Sequence, residues 1–451
     1  MRRIRFFFTL LLSGVVGTAA AALPVPAAAQ SFIRDTEIEN TIRVYLAPLY
    51  QAADLDAAAV NVYLINDPRL NAFVTGGQRI FIHTGLLQQT KTPGEVIGVL
   101  AHELGHIAGG HLIRIKDAMR GATAQSIVTM VLGGAAAIAA GRPEGIQAAV
   151  GAGATVQQRL ALQYTRAMEQ SADQAALTYL DRTGQSARGM LETMELLDQQ
   201  AKMAGNPDPY MVSHPLTADR LRHIRNHVEK SPYSDVPTSP QLIEMEARMR
   251  GKLNGYLDPP ERTLATYSAD DQGIEARYAR AVALSKAHDV KASLAVIDGL
   301  LAERPQDPFI HELRGDILRD AGRIEDARQS YEKAVAIIPW AALIRVNLAR
   351  SQLDLNTPAM DRAALENLRH AVRYEREMPA LWRLMATAQG RLGDQGMTSI
   401  ALAEEAVLRG DDSGATRHAE RAINQLPEGT EEWLRAQDIV NAVKNRKRDK
   451  D

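Results

Sequence analysis

Apolar residues recur with two different periods along the first third of the chain, and each period predicts an element type. A helical period predicts a first amphipathic helix through Ile38, Ile42, Tyr45, Leu46 and Leu49. Two short apolar runs, 60–65 (VNVYLI) and 78–83 (QRIFIH), are typical of β-strands. Turn residues separate these runs, so we expect a small sheet beside the helix.

A second helix is predicted to begin at the sequence Thr92-Pro93-Gly94-Glu95. Threonine suits the N-cap, proline the first helical position, and glutamate three residues later favours a capping box. Apolar positions continue the helical period through Leu104 and Ile107. A further helix is expected from about Val156 to Asp181.

A repeat appears beyond residue 272. The stretch 307–339 matches the tetratricopeptide pattern at Gly315, Ala327, Tyr331, Ala334 and Pro339. Pro305 precedes Pro339 by one full repeat length, which keeps the period. Leu355 to Asp361 is interpreted as an insertion, and we expect about four units that form a concave surface for partners. The alternative is an alanine-rich bundle without a period.

The N-terminus has the order of a secretory signal peptide. Basic residues come first, an apolar stretch from Phe6 to Val16 follows, and small residues end it near Ala29. The alternative is an uncleaved anchor, for which the apolar stretch is short. The uncharged segment Ser126–Gly141 is interpreted as a helical flap beside the active centre that could touch a membrane.

Overall composition excludes several classes of protein. The chain has 52 basic and 54 acidic residues, so it lacks the basic field of a nucleic-acid-binding protein. It has no cysteine, which excludes disulfides and a lipid-anchored cysteine.

The sequence AHELGHIAGGH, residues 101–111, carries the candidate chemistry. His102 and His106 are four residues apart, so a helix places both rings on one face within reach of one cation. Neutral imidazole suits Zn²⁺, and Glu103 could act as a general base beside the metal. Gly105 allows another backbone to approach closely. Chance occurrence of this short motif is the competing explanation.

The third histidine of that sequence does not fit a three-histidine zinc motif. That motif needs its last histidine at position 112, where the chain has Leu112 and places His111 one residue early. In a continuous helix, His111 would lie about 180° from His102, at about 100° per residue. We therefore expect His111 to face solvent, although the pair Gly109-Gly110 could bend the chain.

A third ligand is expected from a second helix. Glu169 and Asp173 are four residues apart in the sequence AMEQSADQAAL. Glu169 would complete a His2Glu zinc site, and Asp173 could accept a hydrogen bond from a ligating imidazole. An ordinary pair of surface acids is the alternative.

Together these motifs resemble the HtpX and CAAX-prenyl-protease family of zinc metallopeptidases. The resemblance rests on HELGH, on the later Glu-x-x-Ala-Asp at 169–173, on the segment Leu70–Leu87 and on SHPLTADRL, and covers about 33–227. With tetratricopeptide repeats attached, the chain is most similar to the BepA-type periplasmic members. Those are linked to quality control and assembly of outer-membrane β-barrel proteins.

The resemblance implies roles for individual residues. It implies Zn²⁺ on His102, His106 and Glu169, with Glu103 as the base. It also implies that His214 approaches the zinc and holds the enzyme latent. From chemistry alone, His214 could instead stabilise an oxyanion or cap a helix.

Two further expectations concern neighbouring groups. Arg220 is expected to pair with Asp173 or Glu169. The strand at 78–83 is expected to pair with an extended substrate, as the resemblance implies and an open sheet edge permits.

The predicted fold class is mainly α: a zincin-type α+β metallopeptidase domain with a small β-sheet, followed by an α-helical tetratricopeptide-repeat solenoid. The predicted boundaries are a signal peptide at 1–29, the metallopeptidase domain at 30–230, a linker with a helix at 231–271, repeats at 272–445 and a charged tail at 446–451.

The expected function is a periplasmic zinc endopeptidase that cleaves unfolded or misassembled exported proteins. The repeats would deliver β-barrel substrates or dock on the outer-membrane assembly machinery. The alternative is a chaperone or adaptor that works through the repeats and has a latent or structural zinc site. A third, weaker alternative uses His111 as a ligand.

Overall fold

A computed structural model describes residues 32–114, 156–204 and 214–448. The predicted signal peptide and the segment Ser126–Gly141 lie outside these ranges. Within them the chain is mainly helical with one four-stranded sheet, as predicted. No helix in these ranges is long and apolar enough to cross a membrane.

The first part of the chain contains the sheet and the helices that surround it. Its elements are β1 (Phe32–Ile33), α1 (Thr36–Ala52), β2 (Asn61–Ile65), β3 (Ala72–Thr75), β4 (Arg79–His83), α2 (Thr84–Gln89), α3 (Pro93–Ala108), α4 (Val156–Arg182), α5 (Arg188–Ala204) and α6 (Ala218–Lys230). A loop then leads to α7 (Pro240–Leu257) and the short α8 (Pro260–Thr266).

Strand order in the sheet is β1-β2-β4-β3. β4 pairs in parallel with β2 and antiparallel with β3, so both of its edges are occupied. The expectation that residues 78–83 pair with substrate is therefore wrong. β3 has a partner on one side only among the described strands, and it packs beside α3.

Helix α3 begins at Pro93, as its sequence predicts, but it is capped differently. The side chain of Thr92 accepts no capping hydrogen bond, whereas a carboxylate oxygen of Glu95 accepts one from the backbone N–H of Lys91 at 3.0 Å. Neither of the two hydrogen bonds that define a capping box joins Thr92 and Glu95, so the predicted capping box is not formed.

Two glycines let α3 lie close against its neighbours. A Cβ atom at Gly98 would come within 2.6 Å of Met190 on α5, and one at Gly105 within 2.8 Å of the Ala172 carbonyl oxygen on α4. The close approach predicted for Gly105 is thus present. It brings α4, which carries Glu169 and Asp173, directly against the HELGH turn.

The second part of the chain is a row of five antiparallel helix pairs among the described residues, one more than the four or so units expected. The pairs are α9 (Ile274–Lys286) with α10 (Val290–Glu303), α11 (Pro308–Asp320) with α12 (Ile324–Ile337), α13 (Ala342–Asp354) with α14 (Pro358–Ala371), α15 (Pro379–Arg391) with α16 (Gln395–Leu408), and α17 (Asp412–Gln425) with α18 (Glu431–Arg448). The repeat residues pack as the pattern requires, since a Cβ at Gly315 would meet the Tyr331 ring at 2.6 Å.

The irregular part of the repeat lies elsewhere than predicted. The stretch interpreted as an insertion, Leu355–Asp361, is a short turn followed by the first turn of α14. The additional residues are at 372–378, between α14 and α15, where the spacing of the pairs increases.

Helix α7 joins the two parts. Met249 and Leu253 belong to the hydrophobic core of the first part. On another side of α7, Gly251 and Gly255 let α9 approach, because Cβ atoms there would meet Glu275 at 2.4 Å and Val282 at 2.6 Å. Segment 240–257 is thus packed against both parts.

Candidate metal centre

Three segments bring the candidate site residues together. α3 carries His102, Glu103 and His106, and α4 carries Glu169 and Asp173. His214 precedes α6, which carries Arg220. All seven predicted site residues are buried in one cluster.

Four of these side chains offer ligand atoms that lie within 4.8 Å of one another: His102, His106, Glu169 and His214. The Nε2 atoms of His102 and His106 are 3.1 Å apart, and each is 3.4 Å from an oxygen of Glu169. The Nδ1 atom of His214 lies 3.3 Å from His102 Nε2 and from Glu169 Oε2.

These separations fit a tetrahedral zinc site. Zn–N bonds of about 2.0–2.1 Å in tetrahedral geometry place neighbouring donor atoms about 3.3 Å apart. Five of the six donor separations run from 3.1 to 3.4 Å, with Glu169 using both of its oxygens, and all lie within 4.8 Å. Two imidazoles, a carboxylate and a third imidazole are also ligand types that Zn²⁺ prefers. The residues present therefore fit the metal.

Further groups hold the candidate ligands in place. His102 Nδ1 lies 2.9 Å from Asp173 Oδ1, so its Nε2 faces the cluster. Arg220 contacts both oxygens of Asp173 at 2.6 and 2.8 Å and also Glu169 at 3.0 Å. It donates to the carbonyl oxygen of Pro215 at 2.9 Å as well, which fixes the segment that carries His214.

His111 is buried, so the expectation that it faces solvent is wrong. α3 ends at Ala108, and Gly110 has a φ of +60°, so the chain does not continue as one helix. The turn brings His111 Nδ1 to 3.0 Å from His106 Nδ1. The group of four ligand atoms does not include His111. The adjacent residues Gly109 and Gly110 were the feature of the sequence that indicated this turn.

Glu103 is buried beside the candidate ligands. Neither of its carboxylate oxygens has a hydrogen-bond partner among the residues that the structure describes, and Oε1 lies 3.4 Å from His214 Nε2. Burial raises the pKa of Glu103, because the charged form is poorly solvated. A raised pKa brings a carboxylate closer to the range in which it exchanges protons as a general base.

Burial and neighbouring charges shift the other groups of the cluster in opposite directions. Burial lowers the pKa of His106 to about 2, together with the positive charge of His102 and His214. Burial also opposes the charge on His102, but hydrogen bonding to Asp173 and Glu169 outweighs it and raises that pKa to about 9. A bound cation would have to replace the proton on His102 Nε2, the nitrogen that faces the cluster, because a metal and a proton compete for the same lone pair.

Comparison with known proteins agrees with this geometry. Residues 34–228 match the model of peptidase family M48. The beta-barrel assembly-enhancing protease of Yersinia pestis is 27% identical over 77% of this chain and 71% of that protein. The Escherichia coli K12 protein of that name is 25% identical over the same shares.

A protein from a eukaryote also aligns with part of this chain. The mitochondrial metalloendopeptidase OMA1 of Danio rerio is 24% identical over 54% of this chain and 53% of its own length. The metal-binding geometry and the family match lead to one assignment. Residues 34–228 match a peptidase family M48 domain, and they carry the donor set of a zinc metallopeptidase.

Proposed function

We propose that this metallopeptidase is a periplasmic endopeptidase that cleaves unfolded or misassembled exported proteins, in quality control of outer-membrane protein assembly. Two relatives whose name refers to β-barrel assembly match 77% of the chain, including much of the repeat region, and support this proposal. The helical repeats offer a surface for substrates or for the assembly machinery.

The observation that carries the catalytic part of the proposal is the set of separations among the donor atoms of His102, His106 and Glu169, which run from 3.1 to 3.4 Å. His102, His106 and Glu169 would hold Zn²⁺, and Asp173 orients His102 through the contact of 2.9 Å. When bound, zinc supplies Lewis-acid chemistry, which lowers the pKa of water and polarises a carbonyl group.

Glu103 transfers the protons. Its carboxylate is buried on the helix that carries two of the ligands, and neither of its oxygens accepts a hydrogen bond from the residues that the structure describes. It takes a proton from the attacking water and passes it to the leaving amine of the peptide bond. Burial, which raises its pKa, favours this exchange.

The scissile chain is placed by β3. Ala72–Thr75 pairs with β4 on one side, and its other edge has no partner strand among those described. An extended peptide can add to such an edge through backbone hydrogen bonds, which depend little on side-chain identity. This mode of binding suits unfolded substrates of varied sequence.

His214 supports a latent state of the site. Catalytic zinc sites keep one coordination position open, whereas His214 Nδ1 stands at ligand spacing from His102 and Glu169. Its Nε2 atom lies 3.4 Å from the base Glu103. Movement of His214 would open the fourth position. The same closure favours a second function, in which the repeats act as a chaperone or adaptor while the site stays latent.

Cleavage of an unfolded β-barrel protein tests these proposals. Zinc content and cleavage are compared for wild type, Glu103→Gln, His214→Ala and, as a matched control, the exposed residue His223→Ala. We expect zinc in all four, loss of cleavage in Glu103→Gln, faster cleavage in His214→Ala and no change in the control.

Two results would contradict the proposals separately. If zinc-loaded His214→Ala failed to cleave unfolded β-barrel proteins but cleaved another peptide, the proposed substrate class would be wrong. If His214→Ala were slower than wild type, His214 would assist catalysis rather than hold the site latent.

A further inference from the structure

His111 occupies a position behind one of the proposed ligands. Its Nδ1 atom lies 3.0 Å from His106 Nδ1, while the opposite ring nitrogen of His106, Nε2, faces His102 and Glu169. The two rings meet at an interplanar angle of 81°, with centroids 5.0 Å apart. This edge-on arrangement is that of a ring-to-ring hydrogen bond.

We propose that His111 is a positioning residue, which fixes the tautomer and the ring orientation of His106 by accepting a hydrogen bond from its Nδ1–H group. This inference rests on the proposed zinc site. A histidine that ligates through Nε2 must carry its proton on Nδ1, and a partner for that proton holds the ring in place. For His102 the partner is the carboxylate of Asp173, at 2.9 Å.

The backbone after α3 is shaped to hold this imidazole. Gly109 ends the helix, and a Cβ atom there would come within 2.4 Å of His111 Nε2. Gly110 adopts the left-handed φ of +60°, which L-residues with side chains rarely adopt. Gly109 therefore leaves room for the ring of His111, and Gly110 turns the chain so that this ring packs against His106.

The two proposed histidine ligands thus have acceptors of different charge. A carboxylate behind His102 increases the electron density on that ring more than a neutral imidazole does behind His106. Each acceptor fixes its ring, but only Asp173 adds a negative charge. The two acceptors are therefore not interchangeable.

The test uses amides that imitate one ring nitrogen each. In His111→Asn, the side-chain oxygen reaches the position of Nδ1, whereas in His111→Gln it reaches the position of Nε2. His111→Leu keeps the size of the side chain and removes both nitrogens. Zinc affinity is measured by competition with a chromophoric chelator on the full-length mature protein, together with thermal stability in excess chelator.

We expect His111→Leu and His111→Gln to bind zinc about 10–100-fold more weakly than wild type, and His111→Asn to remain within a few-fold. Stability without metal should differ little between Asn and Gln, since both are amides. Gly109→Ala should weaken zinc binding like His111→Leu, because its Cβ displaces the ring while its φ of −69° suits alanine.

The possible failures are distinguishable. Wild type without zinc would overturn the metal site and this inference with it. Equal zinc affinity in wild type and His111→Leu would overturn the inference alone. Equal losses in Asn and Gln would also overturn it, since a purely structural histidine does not distinguish its two nitrogens.

Discussion

The metal centre and the junction between α1, α7 and α11 are both clusters of buried charge, but they differ in how the charged groups are arranged. At the junction, Arg248 contacts Glu37 at 2.6 Å and Asp307 at 2.7 Å. Lys252 contacts Asp35 at 2.8 Å. Each cation lies within hydrogen-bond distance of carboxylates from other elements, so each of these charges has an opposite charge beside it.

The metal centre contains three carboxylates, those of Glu103, Glu169 and Asp173, beside the guanidinium of Arg220 and the imidazole of His102. Four of its donor atoms converge within 4.8 Å of one another, and the oxygens of Glu103 lack hydrogen-bond donors among the described residues. A divalent cation is the ligand that such a convergent set of imidazoles and a carboxylate would hold.

This difference distinguishes polar groups that are buried as part of the fold from polar groups that are buried where they can bind a ligand. Buried charge is costly unless it is paired, and the junction is paired by residues far apart in sequence. A buried cluster whose donor atoms converge on one point instead indicates a ligand. Four substitutions test this distinction.

Loss of a ligand should have the largest effect. Glu169→Ala removes one of the three proposed zinc ligands, and we expect less than one zinc per ten chains and cleavage at least about 1,000-fold slower. Metal content by mass spectrometry and initial cleavage rates check this. A variant that kept stoichiometric zinc would show that Glu169 is not needed as a ligand.

The junction should respond in stability and not in metal binding. Arg248→Ala removes a buried cation from Glu37 and from the half-buried Asp307, which should cost up to about 3–5 kcal/mol of unfolding free energy, although Lys252 stays 3.4 Å from Glu37. The exposed pair Arg323–Asp326 is the matched control, since Arg323→Ala should cost about 0–1 kcal/mol. Urea denaturation measures both. Weaker zinc binding in Arg248→Ala would contradict the separation of the two regions.

Glu246 is a buried acid of which one carboxylate oxygen has no hydrogen-bond partner among the described residues. It accepts a hydrogen bond from Tyr45 at 2.7 Å, but burial raises its pKa from 4.5 to about 7. The folded state therefore binds this proton more tightly than the unfolded chain does. Its stabilising contribution is present below about pH 4.5 and is lost as the pH rises to about 7.

Glu246→Gln should remove that loss. Relative to wild type, the variant should gain stability between about pH 4.5 and 7, by at most about 3 kcal/mol. Denaturation at several pH values measures the difference. Parallel pH profiles for the two proteins would contradict the raised pKa.

The smallest expected effect concerns an orienting group. Asp173→Asn keeps the shape of the side chain but removes its charge from His102 and Arg220, and we expect zinc affinity to fall about 10–100-fold. Chelator competition measures the affinity. An unchanged affinity would mean that Asp173 only anchors Arg220.

Local patterns of the sequence were sufficient for some of these features. Helical spacing places His102 with His106, and Glu169 with Asp173, on shared faces, and the structure brings both pairs into one cluster. The period of the repeat likewise predicted the helix pairs. Each of these features depends on residues within one or two turns of a helix.

The pairing of Arg220 with Asp173 was predicted although the two residues are far apart, but other features that depend on chain reversal or on distant contacts were not. The position of His111 follows from the φ of Gly110, and the interior position of β4 follows from strand order, which periodicity does not contain. Glu37 and Arg248 meet across 211 residues, so no local signal marks the junction.

The most direct test of the central claim is a crystal of zinc-loaded protein measured at the zinc absorption edge. We predict one anomalous peak per chain, between the Nε2 atoms of His102 and His106 and the carboxylate of Glu169. A peak coordinated by His111 without Glu169, or no peak in this cluster, would contradict the account.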